Sequence, residues 1–338
     1  MKVVEIVAPR QLEIVERPDP FAWGEFVVVK IDVAPMCSEY KYYRDGDYHR
    51  PFGHEAAGVV VEVAQQGRLK LGDRVFGPPR YACGKCDLCL AGDFIYCRNT
   101  LDVFGLTGNS TGKDTYAQYF LKQDWLLVQI PDDMGLEHAS MGCCALGPTY
   151  TAVKRMEVDA FDTVIITGLG PVGLGGVINA TFRGARVIGV EPSPYRAKLA
   201  KDLGAEIVLD PQDAHLRQAI LDLTGGEGAG KSIDCSGNAA AQRLMIEALK
   251  PRGQAAFVGE GGDFSAHTSK DMLRKGLTLH GCWHYNMGDV PGVLQVIRKN
   301  PEKLERLITH KFPLDQVQSA FELQLKGDTG KVLLYPWE

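Results

Sequence analysis

The sequence predicts an α/β plus β protein, in which a mostly β domain precedes a domain with a parallel sheet. Three observations carry this prediction. Short β-like runs separated by turn signals fill residues 1 to about 150. From residue 151 onward, β-like runs alternate with helical patterns, which is typical of a parallel sheet covered by helices. A chain of 338 residues also exceeds the size of one ordinary core.

The first domain is predicted from valine-rich runs such as EFVVVKIDVA and AAGVVVEVA, which are separated by turns containing glycine and proline. At its start, MKVVEIVAPRQLEIVERP predicts two strands around a turn at Pro9-Arg10. The same segment lacks the apolar core and the cleavage site of a signal peptide. We therefore expect a cytoplasmic protein, in which clustered cysteines favour metal binding over disulfides.

A glycine loop opens the second domain. In TVIITGLGPVGLGG, a strand precedes Gly168, Gly170 and Gly173 in the spacing G-x-G-x-x-G, with Pro171 and Val172 before the last glycine. Gly168 permits a tight turn, Gly170 lets the backbone approach a pyrophosphate, and Gly173 packs a helix on the strand. The helix N-terminus would offer free N–H groups to the phosphates. The pattern predicts a doubly wound Rossmann sheet that binds a dinucleotide.

The next strand, ARVIGVE, ends at Glu191. A carboxylate at this point accepts hydrogen bonds from the adenosine ribose hydroxyls, which predicts a preference for NAD; a solvated glutamate at a strand end is the alternative. Arg196 could soften the rejection of a 2′-phosphate or stack near the adenine.

Charge and hydropathy exclude two classes of partner. The net charge of −5 gives no sign of nucleic-acid binding or of binding to an acidic membrane. Residues 163–182 are uncharged and long enough to cross a bilayer, but they contain five glycines and a proline. We therefore predict a strand, a loop and a helix there, and no membrane or nucleic-acid partner.

The segment CGKCDLCLAGDFIYC places Cys83, Cys86, Cys89 and Cys97 within fifteen residues. Four thiolates at about 2.3 Å suit a closed tetrahedral Zn²⁺ site without an open position for chemistry. A redox CxxC motif and an iron–sulfur cluster are the alternatives. The spacing favours a structural zinc that stabilises this lobe.

Across its whole length, the chain resembles the zinc-dependent medium-chain alcohol dehydrogenases, in their polyol or sorbitol dehydrogenase-like branch. The resemblance rests on motifs that occur in the family's order: Cys37 after an early strand, GHEAAG at 53–58, GDRV at 72–75, the four-cysteine lobe, GLGPVG, DCSG at 234–237 and GKVLLYP at the end. It implies a GroES-like catalytic domain with the zinc lobe (1–150), a Rossmann NAD-binding domain (151–285) and a return to the catalytic domain (286–338). It also implies a homodimer or a homotetramer.

The resemblance implies a second, catalytic zinc with Cys37 and His54 as ligands, and with Glu55 as a nearby carboxylate that can approach the metal. The third ligand lies in MGCCALGP, where the family alignment favours Cys144 and a one-residue gap would give Cys143. By this resemblance, the zinc stabilises the alkoxide of an alcohol, whose hydride passes to NAD.

Glu39 departs from the family pattern, since most relatives carry Ser or Thr two residues after the first zinc cysteine. A carboxylate there could accept a proton, hydrogen-bond a polyol or touch the metal. Alternatively, Glu39 fills space or pairs with Lys41. His49 could continue a proton relay, although an exposed loop histidine fits the sequence equally well.

The expected function is hydride transfer between NAD and a secondary alcohol, such as a polyol, sugar or cyclitol. Polar and aromatic residues near the expected site suggest such a substrate: Glu39, Tyr40, Lys41, Tyr42, His49, Trp283 and His284. A zinc-free quinone or enone reductase of the same fold is one alternative, although it would not need Cys37, His54 or the lobe. A binding module without catalysis is the other, and the acidic balance opposes it. Cys235 and Cys282 are expected to be small core residues.

Overall fold

The computed structural model describes residues 1–48 and 52–338. The strands in these ranges are β1 Lys2–Ala8, β2 Gln11–Glu16, β3 Phe26–Met36, β4 Ala56–Glu62, β5 Arg74–Gly77, β6 Tyr119–Gln123, β7 Val128–Gln129, β8 Thr163–Thr167, β9 Arg186–Val190, β10 Ile207–Leu209, β11 Ala229–Asp234, β12 Leu249–Phe257, β13 Thr278–Gly281, β14 Ile308–Pro313 and β15 Lys331–Tyr335. The α-helices are α1 Tyr40–Asp45, α2 Asp87–Leu90, α3 Val103–Thr107, α4 Leu136–Ser140, α5 Gly147–Arg155, α6 Pro171–Phe182, α7 Pro194–Asp202, α8 Leu216–Leu223, α9 Ala239–Ala248, α10 Val290–Lys299, α11 Pro301–Leu307 and α12 Val317–Lys326.

Strands β1 and β2 form an antiparallel hairpin in which Lys2 lies opposite Glu16. Arg10, in the turn, has a φ of 60°, a left-handed conformation that tight turns require. The prediction of two strands around Pro9-Arg10 is confirmed.

A seven-stranded sheet in the order β14-β15-β3-β4-β5-β7, with β6 also paired to β3, combines strands from residues 26–129 with the last two strands of the chain. Its central strand β3 is buried along nearly its whole length, as its run of valines and other apolar residues predicts. Strand β15 pairs antiparallel with the end of β3, with Val332 opposite Met36 and Leu334 opposite Ala34. The last strands of the chain therefore complete the sheet that β3 begins.

A six-stranded parallel sheet has the order β10-β9-β8-β11-β12-β13. Within this sheet, β8 comes first in the sequence, and β9 and β10 are added on one side of it. The next strand, β11, is placed on the other side of β8, followed by β12 and β13. This reversal creates a crevice at the carboxyl ends of β8 and β11, where ligands bind in doubly wound sheets. The predicted strand, loop and helix within residues 163–182 are confirmed as β8 and α6. Among the described residues, no helix has the length and apolar character needed to span a bilayer.

One hydrophobic core joins the two sheets. It includes Val33, Ala57 and Phe76 of the mixed sheet together with Val164 and Ile166 of the parallel sheet. A fully buried valine or phenylalanine contributes about 1.5–3 kcal/mol to folding. This shared core therefore holds the two walls of the intervening cleft against each other. The segment boundaries near residues 150 and 285 remain predictions, and helix α5 spans the first of them.

Candidate active site

A cavity of about 780 Å³ lies between the two sheets. Cys37, His54 and Cys144 line one wall, and Gly170 and Ser236, from the loops after β8 and β11, line the other. The cavity therefore opens at the crevice created by the strand order, where a dinucleotide and a second ligand can meet.

The sheet brings the first wall together. Cys37 directly follows β3, and His54 and Glu55 directly precede β4. Because β3 and β4 are antiparallel neighbours, the end of one strand and the start of the next lie at the same edge. Cys144 reaches this edge from the turn between α4 and α5.

Ligand atoms of Cys37, His54, Glu55 and Cys144 all lie within 4.8 Å of one another. The two sulfur atoms of Cys37 and Cys144 are 3.6 Å apart. Two thiolates on one tetrahedral zinc at about 2.3 Å would be separated by about 3.8 Å. Cys143 instead points its sulfur toward the Ala56 carbonyl oxygen, at 3.7 Å. The donor set therefore fits a zinc ion with Cys144, and not Cys143, in the cluster.

Cys37 and Cys144 are both buried, and their sulfur atoms form a hydrogen bond with each other. The hydrogen bond between them lowers the pKa of Cys37, with further help from the charge of Lys331, and raises the pKa of Cys144. A divalent cation between the two sulfurs would replace the proton of this hydrogen bond, because metal ligands bind as thiolates.

Glu55 forms a fully buried ion pair with Lys331, at 2.5 Å between Oε1 and Nζ. Its other oxygen, Oε2, is buried and has no hydrogen-bond partner among the described residues. Burial raises the pKa of Glu55 to about 8, although Lys331 opposes the shift. A nearby cation would also oppose it, so this unpartnered oxygen fits a metal site. Sequence reasoning missed Lys331, although it lies in the quoted GKVLLYP motif.

Glu39 is buried, and its carboxylate contacts the Cys37–His54–Glu55–Cys144 cluster. Oε1 contacts Nδ1 of His54, and Oε2 accepts hydrogen bonds from the Tyr116 hydroxyl at 2.9 Å and the Cys37 N–H at 3.2 Å. Since Nδ1 is engaged, Nε2 of His54 is the nitrogen left for a metal. Burial lowers the pKa of His54, but the charge of Glu39 outweighs this effect and raises it. Nothing in the sequence pointed to Tyr116.

The alternative in which Glu39 pairs with Lys41 finds no support, since the described residues contain no ion pair between them. Tyr40, Lys41, Tyr42, Trp283 and His284 line the cavity, as the substrate hypothesis requires. His49 lies outside the described residues.

His284 has a strained backbone, with a φ of 51°. Its Nδ1 atom is buried and has no partner in the described part of the chain. Burial lowers the pKa of His284 to about 3, which keeps its imidazole neutral. Strained residues with unused hydrogen-bonding atoms are typical of sites that bind ligands.

The glycine loop has the geometry that its pattern predicts. Gly168 has a φ of 77°, and a Cβ there would lie 2.6 Å from Ser236. A Cβ on Gly173 would lie 2.0 Å from the Gly168 carbonyl oxygen, so α6 can pack closely only without a side chain. Around Gly170 there is open space, as close approach of a ligand requires. Pro171 and Val172 form the first turn of α6 and line the cavity.

Glu191 follows β9, and its carboxylate is fixed by the backbone: Oε2 accepts from the Leu169 N–H at 2.6 Å and Oε1 from the Ser193 N–H at 3.0 Å. The carboxylate therefore lies against the glycine loop. Arg196, in the first turn of α7, lines the cavity and donates from Nε to the Thr329 carbonyl oxygen at 3.0 Å.

The four lobe cysteines form a second cluster with ligand atoms within 4.8 Å of one another. Their sulfur atoms are 3.5 Å apart for Cys86–Cys89 and Cys83–Cys97, and 3.9 Å apart for Cys86–Cys97. These separations suit four thiolates on one tetrahedral zinc. Backbone N–H groups of Cys89 and Arg98 lower the pKa of Cys86 to about 6, which favours its thiolate.

The two remaining cysteines differ from each other. Cys282 is buried in the core, as expected. Cys235 is only partly buried: it packs against the core, but it follows β11 in the loop at the crevice and also lines the cavity.

Comparison with known proteins gives two family matches. Residues 24–132 match the alcohol dehydrogenase GroES-like domain, and residues 171–299 match the zinc-binding dehydrogenase family. The chain is 32% identical over 289 residues to the uncharacterized zinc-type alcohol dehydrogenase-like protein YphC of Escherichia coli K12, covering 83% of this chain and 80% of that protein. It is 28% identical to D-arabitol-phosphate dehydrogenase of Enterococcus avium, covering 99% and 97% of the two chains.

Among solved structures, the alcohol dehydrogenase of Thermotoga maritima superposes with a TM-score of 0.84 at 27% identity, covering 99% of this chain and 98% of that one. The predicted fold class, a GroES-like β domain with a Rossmann sheet, is confirmed.

Proposed function

This chain belongs to the zinc-dependent medium-chain alcohol dehydrogenase family, and we propose that it transfers hydride between NAD and a secondary hydroxyl of a polyol, sugar or cyclitol. One observation carries the proposal: the cluster of Cys37, His54 and Cys144 faces the glycine loop across a single cavity. A metal-activated hydroxyl and a nicotinamide need this arrangement, because hydride transfer requires direct contact between the two reacting carbons.

In this proposal Cys37, His54 and Cys144 hold a catalytic zinc, and Glu55 lies beside them as a carboxylate that can approach the metal. A zinc ion bound there supplies Lewis-acid chemistry that acidifies an alcohol, and NAD⁺ supplies the hydride acceptor. The buried Lys331 fixes Glu55 and neutralises part of the negative charge that two thiolates and a carboxylate bring to the site. The lobe cysteines hold a second, structural zinc.

Glu39 positions His54 by accepting from Nδ1, which fixes the ring orientation and the tautomer that leaves Nε2 for the metal. Tyr116 and the Cys37 N–H hold the carboxylate in turn. Because Glu39 also lines the cavity, it can accept the hydroxyl proton or hydrogen-bond a second hydroxyl.

We infer the cofactor from the wall of the cavity that the glycine loop forms. The N–H groups at the start of α6 bind the pyrophosphate, and Gly170 leaves room for its approach. Glu191 accepts from the ribose hydroxyls, and its charge opposes a 2′-phosphate. Arg196 weakens that opposition, so we propose a preference for NAD and not an absolute exclusion of NADP.

A hydroxyl-rich substrate is supported by the polar residues that line the cavity, Glu39 and His284 among them. The name of D-arabitol-phosphate dehydrogenase also indicates a polyol derivative. We further propose a cytoplasmic homodimer or homotetramer. No described strand pairs with the outer edge of β13, so a second copy could extend the parallel sheet there.

The proposal is tested by screening zinc-loaded protein against a panel of simple secondary alcohols, polyols and cyclitols with NAD⁺ and with NADP⁺. We expect absorbance of the reduced cofactor to rise with polyols. Hydrogen bonds that the ribose hydroxyls donate to a carboxylate contribute about 1.5–3 kcal/mol, so kcat/KM should favour NAD by about 10- to 100-fold. Turnover of quinones or enones with no alcohol oxidised would contradict the proposal, and a preference for NADP would contradict the role of Glu191.

Glu39→Gln keeps the shape of the side chain and removes its charge, so we expect kcat on a polyol to fall by about 10²–10⁴. Glu39→Thr restores the common family residue and should shift the substrate ranking toward simple secondary alcohols. The measurements are kcat, its pH profile and the ranking of substrates for both variants. If all three stayed near those of the unmodified protein, Glu39 would merely fill space.

A further inference from the structure

Four cationic residues from separate parts of the chain line the cavity that also contains Cys37, His54 and Cys144. They are Lys41, Arg80, Lys113 and Lys122. Lys41 lies in α1, two residues after Glu39, and Lys113 lies two residues before Thr115, whose hydroxyl accepts from the Glu55 N–H at 3.1 Å. Lys41 and Lys113 are therefore close in sequence to residues that contact the Cys37–His54–Glu55–Cys144 cluster.

Lys122 is the most unusual of the four, because it is only 2% exposed. Its Nζ donates to the Arg80 carbonyl oxygen and lies 3.8 Å from the centroid of the Tyr81 ring. An ammonium group has three N–H donors, so these contacts leave it incompletely paired. Burial lowers the pKa of Lys122 well below its ordinary value, and a bound anion would oppose this shift by favouring the charged form.

Arg80 lies next to Lys122 and is held from two sides. Its guanidinium stacks on Trp283, at 5.1 Å from the ring centroid, and Nη2 donates to the Cys97 carbonyl oxygen at 2.9 Å. Its Nε is buried without a hydrogen-bond partner in the described part of the chain. Across the described residues, neither Arg80 nor Lys122 has a carboxylate within 4.0 Å.

The carboxylates that line the cavity do not compensate these cations. Glu39 is engaged by His54 and Tyr116, and Glu260 accepts from Nε1 of Trp283 at 3.1 Å. Burying a charge without a counter-charge is costly, and buried charges in proteins are normally paired. A ligand that brings its own negative charge would supply the missing partner.

We propose that the substrate is an anionic polyol, a phosphate monoester whose phosphate is bound by Arg80 and Lys122 while a secondary hydroxyl reaches the Cys37–His54–Cys144 cluster. This inference rests on the proposed function and narrows its substrate class. The planar guanidinium and the compact ammonium match phosphate oxygens, and Lys41 and Lys113 add a field that favours a dianion. The ester does not react; it orients the polyol.

The test uses the zinc-loaded full chain and matched pairs of polyol and terminal phosphate ester, such as sorbitol with sorbitol 6-phosphate and ribitol with ribitol 5-phosphate. We expect kcat/KM to be at least about 10-fold higher for the ester, mainly through KM, and the advantage to shrink as salt is added. Lys122→Met, which keeps the volume and the apolar stem, and Arg80→Gln should each reduce the ratio of ester to neutral polyol about 10-fold or more. Lys70→Gln, an exposed change outside the cavity, is the matched control and should leave the ratio intact.

Calorimetric binding of the same esters to the NADH complex separates this inference from the proposed function. Binding that weakens in Lys122→Met and Arg80→Gln, without turnover of any polyol, would overturn the function and support the anion site. Equal kcat/KM for ester and polyol would overturn the anion site alone. An ester preference that survives both substitutions would also overturn it. If neither turnover nor ester binding is found, both conclusions fail.

Discussion

Cys144→Ser is expected to remove the catalytic zinc and to lower kcat by about 10²–10⁴, whereas Cys143→Ser is expected to retain both zinc and activity. The reason is geometric. The Cys144 sulfur lies 3.6 Å from the Cys37 sulfur, while the Cys143 sulfur faces the Ala56 carbonyl oxygen. A metal Lewis acid contributes several kcal/mol to stabilising the transition state, and each 1.36 kcal/mol is a factor of ten in rate.

The adjacent pair provides an unusually close control, because both residues are buried cysteines and both substitutions remove one sulfur. Zinc content per chain, measured by elemental analysis beside kcat, distinguishes loss of the metal from loss of the fold. Unfolding curves for the two variants should be similar. If Cys143→Ser lost a zinc while Cys144→Ser kept it, the assignment of the third ligand would be reversed.

Local patterns in the sequence predicted the parts of the site that depend on neighbouring residues. The spacing of Gly168, Gly170 and Gly173 specifies the loop because each position favours a residue without a side chain, for reasons that lie within a few residues. Gly168 has a positive φ, Gly170 leaves room for a ligand, and Gly173 packs against the Gly168 carbonyl oxygen. The lobe cysteines are equally local. The strand alternation after residue 151 was likewise sufficient to predict the parallel sheet, since each strand and helix has its own periodicity.

Contacts between distant segments escaped prediction. Lys331 meets Glu55 across 276 positions, and Tyr116 meets Glu39 across 77. Neither contact leaves a periodic signal, because each depends on how β15 and the loop before β6 pack on β3. The family resemblance limited the third ligand to Cys143 or Cys144. The structure distinguishes them because the Cys144 sulfur lies beside the Cys37 sulfur, whereas the Cys143 sulfur faces the Ala56 carbonyl oxygen. The cationic wall of Arg80 and Lys122 was missed for the same reason.

Removal of the zinc proposed for the lobe is expected to lower stability more than any single change in the catalytic cluster. The lobe, residues 83–97, contains only the four-residue helix α2 and the three-residue 3-10 helix Phe94–Tyr96, and helices of that length are not stable alone. Structural zinc sites in small domains contribute apparent binding energies of about 10–16 kcal/mol, which act as folding energy. Phe94 and Ile95 are buried at 2% and 1% exposure, so loss of the metal would also expose them.

Cys89→Ser should therefore remove one zinc per chain and lower Tm, with Phe94 and Ile95 becoming accessible to solvent. The effect should extend beyond the lobe, because the Ile95 N–H donates to Asn286 at 3.1 Å, two residues from the cavity-lining His284. Cys235→Ser, which removes a sulfur outside both clusters, is the control for zinc content and Tm. A Cys89→Ser protein with two zinc ions and an unchanged Tm would show that these cysteines do not hold a structural metal. Less than one zinc per chain in fully active unmodified protein would contradict both sites, because a dehydrogenase that depends on the Cys37 cluster cannot turn over without its metal.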